Sequence, residues 1–289
     1  MSDAIVTPKL NEMNYRVIKP LGTGAGSTIL LISDKKAGGQ RYALKIVKRQ
    51  GPDDDIYISQ ARIEYAVTQR LSHPNIIKIY DYRIRRSWFR VCSVELLMEY
   101  IDGETLDEIE GPRMGPLVLI FNQVASAMVH MHRRGVFHGD IKPSNILLTK
   151  NDQAKLIDFG TAWVRGEDKN RVQGTPQYIA PEQVSDKIVD QCTDIYNFGA
   201  TMYRMFTGQY ANKKLPRSGD NSAHQKLLLT APVKLNPSIP GALNQTILAC
   251  LEPLREQRPN DMAVVQEQLA DVAREMGLHG EEIAETLPW

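Results

Sequence analysis

The sequence predicts an α+β protein made of two unequal parts. The chain has 289 residues, about twice the usual length of a single domain, which allows two parts that share a site. Its N-terminal portion is a series of short apolar segments of strand length around a glycine-rich turn. After Asp102-Gly103 the apolar residues recur at helical spacing. We therefore expect a small antiparallel sheet with one helix, followed by a larger and mainly helical part.

The smaller part has five predicted strands and one predicted helix. The helix is expected over 58–71, because Ile63, Val67 and Leu71 recur at helical spacing and His73-Pro74 cannot continue it. The strands are expected over 16–18, 28–32, 41–47, 76–84 and 91–98.

The larger part begins with a long buried helix, predicted over 117–131 from an apolar stripe that includes Leu117, Val124 and Met128. Further helices are expected over 194–207, 243–251 and 262–276. Two charged groups in the smaller part are interpreted as solvated turns: the acidic run 53–55 and the arginines Arg83, Arg85, Arg86 and Arg90.

Composition and charge limit the classes of partner. Hydrophobic residues make up 42% of the chain, which is enough for a packed core. The net charge of +1 gives no overall case for nucleic acid or an anionic membrane, so we expect neither, and any such binding would have to be local. No stretch approaches the roughly 18 apolar residues that span a bilayer. The three cysteines lie far apart, which argues against zinc and disulfides and favours the cytoplasm.

Two features of the smaller part suggest phosphate chemistry. Gly22 and Gly24 lie between two strands rather than between a strand and a helix, a context that disfavours a dinucleotide fold. Glycines let backbone N–H groups approach phosphate oxygens. Lys45 falls on the third strand, where an inward lysine is costly unless it meets an anion. Glu64 on the following helix can hold it.

The larger part carries three motifs in order: His138-Gly139-Asp140-Ile141-Lys142-Pro143-Ser144-Asn145, then Asp158-Phe159-Gly160 thirteen residues after Asn145, then Gly174-Thr175-Pro176 with Ala180-Pro181-Glu182. With the glycine-rich turn, Lys45 and Glu64, this set resembles the eukaryotic-type serine/threonine protein kinases. The resemblance runs from about residue 15 to about residue 269.

The resemblance implies a bilobal fold and a phosphoryl transfer reaction. The N-lobe, 12–101, would bind ATP; the C-lobe, 102–270, would carry catalysis and bind substrate; and 271–289 would form a tail. ATP-dependent transfer to serine or threonine hydroxyls of protein substrates is the implied function.

The resemblance also assigns roles to individual residues. Lys45, held by Glu64, would grip the phosphates, Asp140 would orient the hydroxyl and accept its proton, and Lys142 would steady the transferring group. Asn145 and Asp158 would bind Mg²⁺, for which Mn²⁺ could substitute. The residues implied in ATP binding are Gly22, Gly24, Ser27, Ile29, Ala43, Lys45, Met98, Glu99, Ile101 and Leu147. Asp194 and Gly199 match residues of the helix that in this family anchors the catalytic loop, here 138–145. Arg258 matches the arginine that pairs with the position of Glu182.

Three departures from the family pattern stand out. Ser27 replaces the third glycine, Thr68 stands where an aliphatic residue is usual, and Gly139 replaces the arginine before Asp140. Gly139 keeps a second hypothesis open, because small-molecule phosphotransferases of the aminoglycoside and choline kinase type share such a loop. Lys142 and the segment 174–182 oppose it. A third hypothesis, a pseudokinase scaffold, is opposed by the complete catalytic set.

Gly139 also bears on control. In many family members the arginine at this position binds a phosphate on the activation loop. Between Asp158 and Glu182 the only hydroxyl residues are Thr161, Thr175 and Tyr178, and the position four before Thr175 is Arg171. We therefore expect activity that does not depend on activation-loop phosphorylation. A regulatory protein partner would act elsewhere, through the helix 58–71 or the tail with its apolar residues Ile283, Leu287 and Trp289.

Overall fold

The computed structural model describes residues 7–24, 26–109, 114–167, 173–211 and 229–278. The chain divides into two compact units. Unit 1 comprises the described residues up to Ser72, together with Ile77–Asp102 and Asp158–Gly160, and unit 2 comprises the rest. Unit 1 is an antiparallel sheet with one long helix and unit 2 is mainly helical, so the predicted α+β class is confirmed. The lobe boundaries at 101 and 270 stay predictions.

The sheet of unit 1 has five strands in the order β1-β2-β3-β5-β4, and every neighbouring pair is antiparallel. The strands are β1 (Tyr15–Gly24), β2 (Ser27–Asp34), β3 (Arg41–Lys48), β4 (Ile79–Ser87) and β5 (Arg90–Glu99). Alternation along β3 separates the two faces of the sheet. Leu44 packs into a core cluster with Leu10, Ile32 and Leu97, whereas Lys45 belongs to the opposite face.

The helix of unit 1, α1, runs over Asp55–Thr68 rather than the predicted 58–71. A 3-10 turn over Pro52–Asp54 leads directly into it, because proline fixes φ for the first turn of such a helix. At the other end the N–H of Leu71 bonds to the carbonyl of Thr68, an i−3 bond that tightens the chain and ends the α-helix.

The predicted strand 76–84 begins at Ile79 instead. Ile76 forms a bridge with Leu156, and both residues belong to unit 2. The apolar run at 76–79 therefore serves two different units, which strand periodicity alone cannot show.

Unit 2 is organised around α2 (Met114–Arg133), with the predicted stripe buried. The other helices are α3 (Pro181–Ser185), α4 (Gln191–Thr207), α5 (Pro232–Leu235), α6 (Gly241–Cys250) and α7 (Met262–Glu275). By length and composition α2 could cross a membrane, although the sequence was expected to contain no stretch apolar enough to span a bilayer. However, 56% of its most apolar window is buried in the fold, as in a core helix.

Close packing in unit 2 depends on one glycine of α4. A Cβ at Gly199 would lie 2.6 Å from the Cβ of Cys250 on α6, so only glycine allows the two helices this approach. Burial raises the pKa of the Cys250 thiol to about 12, which makes it a packing residue rather than a nucleophile.

Unit 2 also contains five short strands that the sequence pattern does not predict. They are β6 (Gly103–Thr105), β7 (Val136–Phe137), β8 (Ile146–Thr149), β9 (Ala154–Leu156) and β10 (Trp163–Val164). Each has four residues or fewer, too few for an alternating pattern to stand out. β6, β8 and β9 form one small sheet, and β7 pairs with β10.

Candidate active site

In unit 1 the structure brings Lys45, Glu64 and Asp158 together. The Nζ of Lys45 lies 2.6 Å from Oε2 of Glu64 and 3.7 Å from Oδ1 of Asp158. The Glu64 side chain is only 3% exposed, whereas that of Asp158 is 51% exposed. The prediction that Glu64 holds Lys45 is confirmed. Of the two carboxylates, the one on the Asp-Phe-Gly motif is open to a ligand from solvent.

The lysine of this group stays positively charged. Burial by itself lowers the pKa of Lys45, but the carboxylates of Glu64 and Asp158 more than offset this effect and hold the pKa above its usual value. Burial acts on Glu64 in the opposite sense and raises the pKa of its carboxyl group, against the Lys45 ammonium. The site therefore maintains one cation between two acidic groups.

Asp158 has a left-handed backbone conformation, with φ of 64°. For a residue other than glycine this costs about 1 kcal/mol or more. Gly160, two residues later, lies against α1, since a Cβ there would come 3.2 Å from the Cβ of Gln60. The Asp-Phe-Gly motif is thus held in a strained form next to the helix that supplies Glu64.

The glycine-rich turn joins β1 to β2, as predicted. Gly24 pairs with Ser27 and Gly22 pairs with Ile29. Gly26 has φ of 71°, and a Cβ there would come within 2.5 Å of the Tyr57 ring. Position 26, one residue before the place of the family's third glycine, therefore requires glycine in this chain.

Three apolar residues implied in ATP binding lie on the same sheet face as Lys45. Ile29 stands opposite Lys45, and Ala43 stands opposite Met98. Glu99 closes β5, where its N–H donates to the carbonyl of Lys78. The remaining two are half-buried: Ile101 follows β5 in unit 1, and Leu147 is on β8 in unit 2.

In unit 2 Asp140 is held by two partners. Its Oδ2 lies 2.8 Å from Nζ of Lys142, and its Oδ1 accepts a hydrogen bond of 2.7 Å from the N–H of Thr175. Lys142 also donates to the hydroxyl of Thr175 at 2.8 Å. The catalytic loop and the Gly174-Thr175-Pro176 segment are therefore joined at the carboxylate that the resemblance identifies as catalytic.

Asn145 is fixed to the same loop. Its side-chain N–H donates to the backbone carbonyl of Asp140 at 2.8 Å, which leaves Oδ1 as its acceptor for a ligand. The backbone carbonyl of Asn145 accepts from the N–H of Ile157. These bonds orient the amide without using its oxygen.

The loop before Asp140 is anchored on α4 by Asp194, which is fully buried. Its two carboxylate oxygens accept from the N–H groups of His138 (2.8 Å) and Gly139 (2.7 Å), and His132 lies 2.8 Å from Oδ2. Nε2 of His138 lies 3.2 Å from the carbonyl of Ile157, so the ring contacts the chain just before Asp158.

Gly139 has φ of 74°, and a Cβ there would lie 3.3 Å from Val189. Its carbonyl accepts from the amide of Gln183 at 2.8 Å, and that amide also donates to the carbonyl of Gln173. Gln183 is fully buried and links the catalytic loop to both ends of the 173–183 segment. No sequence pattern predicts this role for Gln183, although the residue directly follows Ala180-Pro181-Glu182.

Arg258 and Glu182 form the buried ion pair that the resemblance implied. The guanidinium makes two parallel bonds to the carboxylate, 2.7 and 3.0 Å long, and lies 4.8 Å from the Tyr196 ring centroid. Thr193 donates to the same carboxylate. Together these contacts attach the end of the 173–183 segment to α4 and the chain before α7.

Comparison with known proteins identifies the family. The protein kinase domain model matches residues 15–270. The chain belongs to the protein kinase family. A probable serine/threonine-protein kinase of Clostridium acetobutylicum is 30% identical over 271 residues, which are 89% of this chain and 40% of that protein.

Two further relatives have similar names. The probable serine/threonine-protein kinase PknB of Lactococcus lactis is 30% identical over 95% of this chain and 44% of its own length. For the serine/threonine-protein kinase PknA of Mycobacterium tuberculosis the values are 30%, 81% and 55%. The chain therefore spans between 40% and 55% of the length of these three relatives.

Proposed function

We propose that this kinase domain transfers the γ-phosphoryl group of ATP to serine or threonine hydroxyls of protein substrates. The observation that carries the proposal is the contact of Asp140, Lys142 and Thr175. Thr175 belongs to the segment that in this family forms a platform for an extended peptide. Its N–H donates to Asp140, and its hydroxyl accepts from Lys142. A platform joined to the catalytic carboxylate favours a protein substrate over a small molecule.

The residues assigned to a divalent cation suit Mg²⁺. Asn145 offers an amide oxygen and Asp158 a half-exposed carboxylate, and such oxygen donors are what this hard cation prefers. Among the described residues no group of three or more His, Cys, Asp or Glu could hold a metal ion. In this family the phosphates of ATP supply further oxygen ligands. When bound, the cation neutralises phosphate charge.

The chain's own side chains would divide the remaining work. Asp140, oriented by Lys142 and by the N–H of Thr175, accepts the proton of the attacking hydroxyl. Lys142 places a positive charge beside that carboxylate and the reacting group. Lys45, which Glu64 and Asp158 keep protonated, binds phosphate oxygens as a point charge.

Radiolabel transfer from ATP tests the proposal. The wild-type chain with Mg²⁺ is offered peptide libraries of serine, threonine and tyrosine, and in parallel aminoglycosides and choline. We expect label in serine and threonine peptides, and a loss of about 10³-fold or more in Asp140→Asn. Asp186→Asn, an exposed aspartate in unit 2, is the matched control and should retain the rate.

Three outcomes would overturn the proposal. Label only in the amino alcohols or aminoglycosides would assign a small-molecule phosphotransferase. No label in any acceptor, including the chain itself, would assign a scaffold. Transfer at the wild-type rate by Asp140→Asn would remove the catalytic assignment.

We further propose that activation-loop phosphorylation is not the switch. Asp194 and Gln183 bind the backbone of Gly139, and Gln183 also binds the carbonyl of Gln173, so hydrogen bonds hold Gly139 and the described segment 173–183 without a phosphate–arginine contact. Arg171, at the usual phosphoacceptor position, lies outside the described residues. The same is true of the tail residues Ile283, Leu287 and Trp289, for which a regulatory partner remains a proposal.

A further inference from the structure

The turn between β4 and β5 exposes two aromatic side chains. Trp88 and Phe89 are each 92% exposed, more than any other large apolar residue among the described ones. Ser87 pairs with Arg90, so Trp88 and Phe89 are the two residues of the turn between the strands. Exposed apolar side chains that stand together usually mark a binding surface.

The backbone of the turn shows that Trp88 is not there to stabilise it. Its φ is 56°, in the left-handed region where a two-residue hairpin normally has Asn, Asp or Gly. A tryptophan at such a position is strained, and burial of the ring does not offset the strain here. The residue is therefore better explained by what it contacts outside the chain.

The charge of this hairpin is positive. Residues 83–95 contain four arginines and one glutamate, which gives a net charge of +3. Three of these arginines lie on β4 and the fourth begins β5, so the expectation that the group forms a turn is wrong. Arg83 and Arg85 both bind Glu95. Arg86 and Arg90 are exposed and have no ion-pair partner in the part of the chain that the structure describes.

We propose that this hairpin tip, formed by Arg86, Trp88, Phe89 and Arg90, docks onto a membrane surface that contains anionic lipids. Aromatic rings partition into the interfacial layer of a bilayer, and arginines beside them attract anionic headgroups. Apolar insertion and basic charge are the two signals that together give stable membrane attachment.

The shape of the tip favours a membrane over a protein partner. The four residues of this tip are far fewer than the roughly 20–30 residues that a standard protein interface uses on each side. A bilayer needs no complementary pocket for the rings. This docking is a local exception to the expectation of no membrane partner, and it does not depend on the phosphoryl transfer proposed above.

Vesicle co-sedimentation of the full chain tests the docking. We expect binding to phosphatidylcholine vesicles with about 30% phosphatidylserine, weaker binding in about 0.5 M salt, and little binding without the anionic lipid. Trp88→Asn with Phe89→Ser, and separately Arg86→Gln with Arg90→Gln, should each reduce the apparent affinity about tenfold or more. The first pair should also abolish a vesicle-induced blue shift of tryptophan emission.

Matched controls separate docking from general effects. Val264→Ala removes an exposed apolar side chain of α7, and Arg70→Gln removes an exposed arginine after α1, so both should bind vesicles as the wild type does. Asparagine suits the left-handed position, so the thermal midpoint of the Trp88→Asn pair should not fall.

Several results would overturn the proposal. They are no vesicle binding by the wild type, equal binding to neutral vesicles, or unchanged binding in both hairpin variants. Concentration-dependent self-association without lipid, lost on Trp88→Asn with Phe89→Ser, would instead assign the tip to a second copy of the chain.

Discussion

Lys45 and Glu64 carry opposite charges where solvent hardly reaches, with side-chain exposures of 15% and 3%. Such a pair is stable because each member compensates for the desolvation of the other. Removing one partner leaves the other as an unpaired buried charge. The residue that the family uses to bind phosphate thus also stabilises unit 1.

Lys45→Met is expected to reduce phosphoryl transfer about 10³-fold or more, because it removes a charge aligned with the phosphates. The fold should persist with a loss of about 3 kcal/mol, since Glu64 becomes unpaired. Initial rates and urea unfolding of both proteins measure the two effects. Wild-type turnover in the variant would contradict the assignment.

The stability of Lys45→Met should depend on pH in a defined direction. Without the ammonium, the pKa of Glu64 rises further above its usual value, because burial is then no longer opposed by that positive charge. The native state therefore keeps a proton that the unfolded chain releases, and stability falls as pH rises from the unfolded pKa through the folded one. Urea unfolding from about pH 4 to pH 8 measures this slope. Glu64→Gln in the same background should abolish it, and a persistent slope would assign it to another group.

Gly139 has a left-handed backbone and little space for a side chain. Gly139→Arg should therefore lose about 1–3 kcal/mol in urea unfolding and should not make activity depend on phosphorylation. Gly38→Arg is the matched control, because Gly38 has φ of 62° but no atom within 4 Å of where a Cβ would lie. If both variants lose the same free energy, the contact with Val189 has no cost.

Among the elements of unit 2, α4 binds both the loop before Asp140 and the end of the 173–183 segment. Asp194 holds the catalytic loop from this helix, and Thr193 binds the Glu182 carboxylate that Arg258 pairs with. The helix itself begins at a side-chain cap, where Asp190 accepts from the N–H groups of Cys192 and Thr193. One capped helix thereby positions the loop before Asp140 and the end of the 173–183 segment.

The Glu182–Arg258 pair is expected to act as a coupled unit. Arg258→Met and Glu182→Gln should each lose about 3–5 kcal/mol in urea unfolding, because each leaves a buried partner uncompensated. The double variant should lose less than the sum by about 2 kcal/mol. Arg258→Lys keeps the charge but cannot make two parallel bonds, so it should not restore full stability. Strict additivity would show that the two residues act independently.

At the scale of the whole molecule, the chain matches its family over residues 15–270 yet covers only 40%, 44% and 55% of the three relatives described above. The activity proposed for it is therefore that of a kinase domain. The departures from the family pattern, above all Gly139, bear most directly on how that activity is regulated.

Complete dephosphorylation should leave the initial rate of phosphoryl transfer unchanged, since buried hydrogen bonds from Gln183 and to Asp194 hold the backbone of Gly139. Phosphatase treatment, verified by mass spectrometry, followed by peptide assays checks this. Thr175→Val should lose activity in either state, because its hydroxyl binds Lys142. A tenfold or greater loss on dephosphorylation, traced to a site between Thr161 and Tyr178, would contradict the expectation.

Much of this protein could be predicted from local pattern alone. Alternation in 41–47 and the helical stripe in 117–131 predicted β3 and α2, because strand and helix periods are properties of neighbouring residues. The order and spacing of the motifs around Lys45, Asp140 and Asp158 predicted the family. The chemistry of these residue types then predicted the pairing of Lys45 with Glu64.

Only the tertiary structure decided the features that join distant parts of the chain. The bond from Thr175 to Asp140 spans 35 residues and that from Gln183 to Gly139 spans 44, and neither leaves a periodic trace in sequence. The division of 76–79 between the two units and the high exposure of Trp88 and Phe89 leave no trace in the sequence pattern either. The physical reason is that burial and long-range hydrogen bonds depend on which segments the folded chain brings together, whereas the sequence pattern records only what each segment prefers by itself.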